Sequence, residues 1–594
     1  MERNADRLYS CPFLVLQLFL LYIWFLFLSH SDSYYSVYIL CGGLGLVALL
    51  SNYREKPALE RRQRRIVAVA SVLFAAAVFL ANLAVLRALV RDTVRTVFAI
   101  WLYLEAFLVF LGSMSVCRNT LIFCFRLLRA RRDEPKLPTK TQLRRFSLLS
   151  MLLLCAADLL VFLPSMYPGV VSVDSADQIS QILSGVYSNH HPFWHTMIIR
   201  FFLSIGMGLF HDLNAGIALY SLFQILFMAA VISYSLSTLY RSGVPLGAVL
   251  VFLLWFALLP IHLAYSFTMW KDIPFAGCVL LFVVSLYRIL KKLDVSVREW
   301  ILLALGSLGF CLLRSNGYFA FVLVTLVFAL LFGRQQRRML LLFLAVLALG
   351  FVMKRPVLKA LDVRQPDFVE SLSVPLQQIA RTVADGKELT AEEQALLGEI
   401  IEVEQIPALY DSGLSNPIKD AIRDFGNQDY LVSHKGAYLK LWLGLLRRYP
   451  LEFIEAWAEQ TKGYWHGGYD YWVWTTGVEP NDFGGRQTIF SLAAFYLYFV
   501  YQDVFTFDLF QPLLSIGLHF WIVCAAFCLN LMRRRRVESF LALPVFAITL
   551  SLMIASPVFS ETRYDYALFT AFPFLLLTAV YGKDGGRADP APAP

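Results

Sequence analysis

RLLRARRDEPKLPTKTQLRRFSLLSMLLLCAADLLVFLPSMYPGVVSVDSADQ (Arg126–Gln178) carries a basic loop, an apolar run and an acidic segment, in that order. The apolar run at 146–164 is long enough to cross the hydrocarbon core of a bilayer as a helix. Short loops rich in Lys and Arg stay on the cytoplasmic side of such helices, so Asp174 and Asp177 are expected on the outer side.

Working outward, similar runs at 12–29, 34–51, 66–89, 96–116, 214–238, 246–264, 272–290, 299–313, 317–333, 338–354, 512–531, 538–556 and 564–582 bring the expected total to about 14 spans. The composition agrees, with 58% hydrophobic and only 16% charged residues, where a soluble chain carries about a quarter charged. The first run is longer than a signal-peptide core and lacks a small-residue cleavage site, so it reads as a retained helix. Basic loops at 53–65, 126–145, 288–298, 333–338 and 532–536 all fall inside if both termini are cytoplasmic. The net charge of +9 is therefore an orientation signal and not a nucleic-acid footprint. Two apolar stretches must then not cross. FWHTMIIRFFLSIGMGLF (193–210) has a polar stripe of Thr196, Arg200 and Ser204, and IFSLAAFYLYFVY (489–501) is short and Tyr-rich, so both are expected in the outer interface. Arg87, Arg91 and Arg95 break the pattern by falling in an outer loop.

The chain thus reads as an all-α polytopic membrane protein. Residues 1–145 form a four-helix membrane module, and 146–354 form the first part of a core that includes an outer loop at 165–213. Residues 355–488 form a mainly helical extracytoplasmic cap, 489–582 complete the core, and 583–594 read as a disordered tail. In the cap, Thr390 followed by Glu392 and Glu393 resembles a helix start, and Tyr449–Pro450 breaks a longer helical stretch. All nine cysteines lie in or beside apolar runs, and no CxxC spacing occurs.

Polar motifs gather at the outer ends of the spans, where a group borne by a lipid can meet water. Asp174, Asp177 and Gln178 share one face if VDSADQ is helical, and a carboxylate partly shielded from water can serve as a general base. Asp near a helix N-terminus is also favoured by the backbone dipole alone. His190, His191 and His195 follow, suited to relaying protons, to binding phosphate or to sitting quietly in the interface. Lys271 and Asp272 stand at the mouth of a span, as an ion pair or as phosphate and substrate ligands. Arg314, beside Asn316, and Arg563, between Glu561 and Tyr564, offer guanidinium forks suited to phosphate oxygens. The aromatic run YWHGGYDYWVW (Tyr464–Trp474) suits sugar rings or an aromatic belt. No Walker loop or GxGxxG is present, so a nucleotide-driven reaction has no visible seat.

In their order along the chain, VDSADQ, SNHHP, WKD, LRSNG and ETRY make the sequence resemble the GT-C superfamily of integral-membrane glycosyltransferases, which take sugars from polyprenyl-phosphate carriers. It is most similar to a bacterial group of multi-spanning proteins that carry PGxxxxDSxxQ, HHP and a PLQQIAR stretch, here Pro375–Arg381. The likeness covers about 146–582 and leaves the first four spans outside it. It implies a GT-C-like core in a bacterial plasma membrane, with an extracytoplasmic active site. It also implies transfer of a hexosyl or pentosyl group to a glycan, lipid or protein acceptor, in a pathway with a polyprenyl-phosphate sugar synthase and a flippase.

Carried over, Asp174 is the catalytic base with Asp177 second, and Lys271, Arg314 and Arg563 hold the donor phosphate. Gln178, His190, His191, Asp272, Asn316, Glu561 and Tyr564 become substrate contacts. A divalent cation, Mg2+ or Mn2+, would fall to Asp174, Asp177 and His191 if the reaction uses one. The spaced DSAD departs from the superfamily's adjacent acidic pair and leaves open which aspartate acts. The rival readings are a flippase or transporter, a polymerase or ligase of lipid-linked oligosaccharides, and a non-catalytic assembly subunit. Transporters usually show repeats and midplane broken helices, and the sequence shows neither.

Overall fold

The computed structural model describes residues 10–29, 35–92, 96–130, 137–468, 477–487, 511–555 and 557–582. Helices make up 80% of it, and no β-strand occurs among the described residues. The N-terminal module comprises α1 (Cys11–Ser29), α2 (Tyr35–Glu55), α3 (Arg61–Ala81), α4 (Leu83–Asp92) and α5 (Thr96–Ala130). The core follows with α6 (Lys140–Val161), α7 (Val173–Ser184), α8 (Phe193–Ile205), α9 (Leu213–Arg241), α10 (Leu246–Leu258), α11 (Asp272–Leu290), α12 (Val297–Leu312), α13 (Ser315–Phe332) and α14 (Arg337–Lys354). The longer cap helices are α15 (Ser373–Ala384), α16 (Lys435–Arg448) and α17 (Pro450–Trp465); the chain returns to the core as α18 (Ile516–Met532), α19 (Leu543–Ile554) and α20 (Tyr566–Tyr581).

Ten helices among the described residues are long and apolar enough to cross a membrane, and the bent pair Leu246–Leu258 and Pro260–Ser266 raises this to 11. The protein is a multi-pass membrane protein. The shortfall from the expected 14 has local causes. The run at 299–313 forms a helix of only 16 residues, Val297–Leu312. The run at 246–264 bends by 58° at Leu259–Pro260, where proline supplies no amide hydrogen. The runs at 12–29 and 512–531 correspond to the shorter apolar helices Cys11–Leu26 and Ile516–Met532. The stretch expected in the interface, Phe193–Phe210, is 18 residues long with mean hydropathy 1.4, and by length and composition it counts among the ten. The second interfacial stretch, 489–501, and the tail at 583–594 lie outside the described residues.

The core centres on α11, whose side chains are buried nearly throughout, against α12, α9 and α20. Both ends of α11 are fixed by charge. At its start, Asp272 pairs with Arg314. Just past its end, Lys291 pairs at 2.9 Å with Glu538, which also holds Arg535 at 2.7 Å. Arg534 meets Glu60 at 3.3 Å, so three of the five basic loops gather at that end. A helix of 19 residues is about 28 Å long, close to a bilayer core, so these loops and the acidic motifs sit at opposite faces.

The cap has its own apolar core, built around Val369, Ile379, Ile400, Ile422, Leu445 and Phe453. Thr390 and Glu393 form the reciprocal helix cap expected from the sequence, at 3.2 and 2.9 Å. The break at Tyr449–Pro450 separates α16 from α17. Cap and N-terminal module meet through Arg87. Its guanidinium pairs with Glu452 at 2.9 Å and with Glu455, whose side chains are 5% and 2% exposed. Lys387 and Arg381 complete the network on Glu452 and Glu455, each at 3.1 Å. Arg87, which breaks the positive-inside pattern expected from the sequence, is thus neutralised by the cap. Arg87→Ala is expected to cost about 1.5 kcal/mol, because both glutamates keep a second partner, and Arg87→Glu more. Thermal unfolding of the solubilised protein checks this order, and equal midpoints for all three proteins would contradict it.

Candidate functional site

The site is assembled by a short parallel run of backbone. Val170 N donates to Phe267 O at 3.1 Å and Met269 N to Val170 O at 3.0 Å, which lays the YPGVVS strip beside SFTMW. Trp270 Nε1 donates to Ser172 Oγ at 2.6 Å, joining the two motifs where each turns into a helix. Ser172 caps α7 through a reciprocal pair with Ser175, and Gly185 closes the helix in the left-handed region at φ +73°. Asp174 therefore stands in the first turn of α7, facing Lys271 just before α11.

Asp174 Oδ2 accepts from Lys271 Nζ at 2.7 Å and from Arg563 Nη1 at 3.1 Å. The SETRY segment reaches this point by packing closely on α17. A Cβ at Gly463 would lie 2.2 Å from Ser560 Cβ, so only glycine permits the approach. Arg563 also pairs with Glu561 and lies over the rings of Trp270 and Tyr564, at 4.8 and 5.0 Å. Arg314 pairs with Asp272, donates to Asn316 Oδ1 at 3.1 Å and to Tyr564 O at 3.3 Å, and lies 4.9 Å from the same Tyr564 ring. Lys354 Nζ holds the Arg314 carbonyl at 3.0 Å.

His191 lies between the two aspartates, with Nδ1 3.8 Å from Asp174 Oδ2 and Nε2 3.6 Å from Asp177 Oδ2. Its Nδ1 is 3.3 Å from Lys271 Nζ. Asp177 and His190 are exposed, so the cluster opens to solvent on that side. Burial alone would raise the Asp174 carboxyl, but Lys271, Arg563 and His191 outweigh it and hold the group well below the usual carboxylate range. Burial first, and then Lys271, lowers the His191 imidazole to about 3, so it is neutral near pH 7.

Asp174, Asp177, His191, Lys271, Asp272, Arg314, Asn316, Glu561, Arg563 and Tyr564 are therefore linked in one cluster, as the sequence motifs suggested. Gln178 behaves differently from its expected role as a substrate contact. It is 1% exposed, donates to Thr196 Oγ1 at 2.8 Å and meets His195 Nδ1 at 3.1 Å. His195 continues to Tyr220 at 2.7 Å, so this is a buried polar brace behind α7. The PLQQIAR stretch also serves packing, since Gln378 donates to Phe453 O and Arg381 pairs with Glu455 inside the cap. Of the aromatic run, Tyr464 to Gly468 are described, and Tyr464 donates to Val558 O at 2.6 Å beside SETRY. Trp270, Ser172 and Lys354 were not legible as site residues, because each acts through a neighbour distant in the sequence.

Among the described residues, no three His, Cys, Asp or Glu groups are arranged to hold a metal ion. Asp174 Oδ2 already faces Lys271 and Arg563, whose charge opposes a divalent cation. The set Asp174, Asp177 and His191 does not fit the divalent cation that the sequence allowed.

The architecture and this cluster define a polytopic membrane protein with a charged, partly open group of side chains at one end of its core helices. Residues 182–591 match the model of a "Family of unknown function (DUF6020)", and the chain belongs to that family. No curated protein and no solved structure matches it. The match includes His191, Lys271, Arg314 and Arg563 and begins just after Asp174 and Asp177.

A neutral buried imidazole sets a sign for pH dependence. The unfolded chain protonates His191 below about pH 6.5, whereas the folded site resists until about 3. The stability it contributes is full above about pH 6.5 and falls as the pH drops, by up to about 1.4 kcal/mol per unit. The unfolding midpoint of the wild type is expected to fall more steeply between about pH 6.5 and 4.5 than that of His191→Gln. Parallel curves would contradict the assignment.

Proposed function

We propose that this protein is a membrane glycosyltransferase of GT-C type, which moves a sugar from a polyprenyl-phosphate carrier to a glycan, lipid or protein acceptor on the outer face of a bacterial plasma membrane. One observation carries the reading: a carboxylate and two cations from three distant segments, Asp174, Lys271 and Arg563, meet at 2.7 and 3.1 Å at the opening of the core. In this reading the topology has both termini cytoplasmic, about 14 spans, and 193–210 lying in the outer interface.

The chemistry follows from the charges. Lys271 and Arg563, with Arg314 behind Tyr564, stabilise the phosphate as the leaving group takes up negative charge. The bond from the sugar's anomeric carbon to the phosphate oxygen breaks, and a bond to the acceptor oxygen forms on the opposite face. The acceptor's proton passes to the Asp174 carboxylate, and polyprenyl phosphate departs. The anomeric centre is inverted. The carrier phosphate supplies the driving force, so no nucleotide is consumed at this face.

With a polyprenyl-phosphate-sugar donor and the protein in lipid, Asp174→Asn is expected to lower sugar transfer about a thousandfold. Lys271→Met and Arg563→Met are expected to lower it about a hundredfold or more. Full transfer by Asp174→Asn would remove Asp174 as the base. Carrier movement across the bilayer with no transferred sugar would replace the reading with a flippase.

A further inference from the structure

Lys354 is committed to the Cys311 and Arg314 carbonyls, and each of the other three cations of the cluster already has a carboxylate. Arg314 has Asp272, Arg563 has Glu561, and Lys271 shares Asp174 with Arg563. An arriving anion must therefore displace one of these carboxylates, and the three differ in how easily they leave. The side chains of Asp272 and Glu561 are 0% and 5% exposed, and each belongs to the same local segment as one edge of its partner's pocket. Asp174 is 23% exposed, is the only one of the three that holds cations from two separate segments, and lies beside the open face marked by Asp177 and His190. Its helix start also tolerates a freed carboxylate, because a negative charge in the first turn is favoured by the backbone dipole.

We infer that Asp174 is an ion-pair latch on its own site: in the empty site it occupies Lys271 and Arg563, and a phosphate group on the incoming lipid takes both cations from it. The inference rests on the phosphate-binding reading above. One anion replaces another, so the two cations stay neutralised throughout and no buried charge is stranded. The exchange orders the events. While pinned by two cations, Asp174 is a poor proton acceptor, so neither water nor an acceptor hydroxyl is activated in the absence of donor. Once the phosphate holds Lys271 and Arg563, the same carboxylate regains the basicity the transfer needs. The latch thus guards the site against idle chemistry, and it makes carboxylate and lipid phosphate competitors for the same two side chains.

Competition gives a direction that a purely supporting carboxylate does not. The test is the affinity of the full chain in nanodiscs for a polyprenyl monophosphate, with inorganic phosphate as a second probe. The latch predicts that Asp174→Asn binds the lipid phosphate about tenfold more tightly than wild type, whereas Lys271→Met and Arg563→Met bind it at least tenfold more weakly. Asp174→Ser serves as a second neutral variant if Asp174→Asn does not fold. Folded Asp174 variants that bind equally or more weakly overturn the latch while leaving the phosphate site standing. Wild type that binds no polyprenyl phosphate, or Lys271 and Arg563 variants that bind it normally, overturns the site reading itself and the latch with it. Inorganic phosphate should follow the same order of variants at lower affinity. Inorganic phosphate binding as tightly as the lipid would overturn the assignment of the occupant as a lipid.

Discussion

The hold of two cations on one carboxylate, Lys271 and Arg563 on Asp174, is the constraint on which this end of the protein depends. At the edge of a membrane, a desolvated Lys or Arg is costly unless an anion meets it. That cost draws together segments 97 and 389 residues apart in the chain. The backbone pairing of Val170 with Thr268, the Trp270–Ser172 bond and the close seat of Ser560 on Gly463 make the meeting possible. None of these contacts is catalytic in itself. Each fixes the direction of a side chain whose charge would otherwise have no partner.

Charge also organises the molecule on the larger scale. Asp272 and Lys291 sit at the two ends of α11, one in the motif cluster and the other among the basic loops, a bilayer's thickness apart. Arg87 is the exception that the cap explains. Glu452 and Glu455 on α17 neutralise it and dock the N-terminal module against the same helix that carries Gly463. The module outside the matched family region is therefore joined to the helix that supports the site.

Much of this was legible in the sequence. Apolar runs and basic loops gave the helical membrane architecture, and the cap's Thr390 start and Pro450 break appeared as expected. One loss came where a single residue overrides a hydropathy window, as Pro260 does within a run that looks continuous. The motif order also pointed to the cluster, since carboxylates and cations at the same ends of adjacent helices have little room to avoid one another. Its internal wiring was not legible. Gln178 shares a helix face with Asp174 by spacing, yet it is committed to Thr196 and His195. The local Glu561–Arg563 pair could be read from the sequence, but the pairs Arg314–Asp272 and Arg563–Asp174 depend on an approach between segments that no local pattern encodes.

The most direct measurement is a determined structure of the full chain with a polyprenyl monophosphate bound. The account predicts phosphate density within hydrogen-bonding distance of Lys271 and Arg563, with the Asp174 carboxylate moved off both. Phosphate density lodged instead among Arg533–Arg536 at the other end of the helices, with the Asp174 pairs intact, would contradict it.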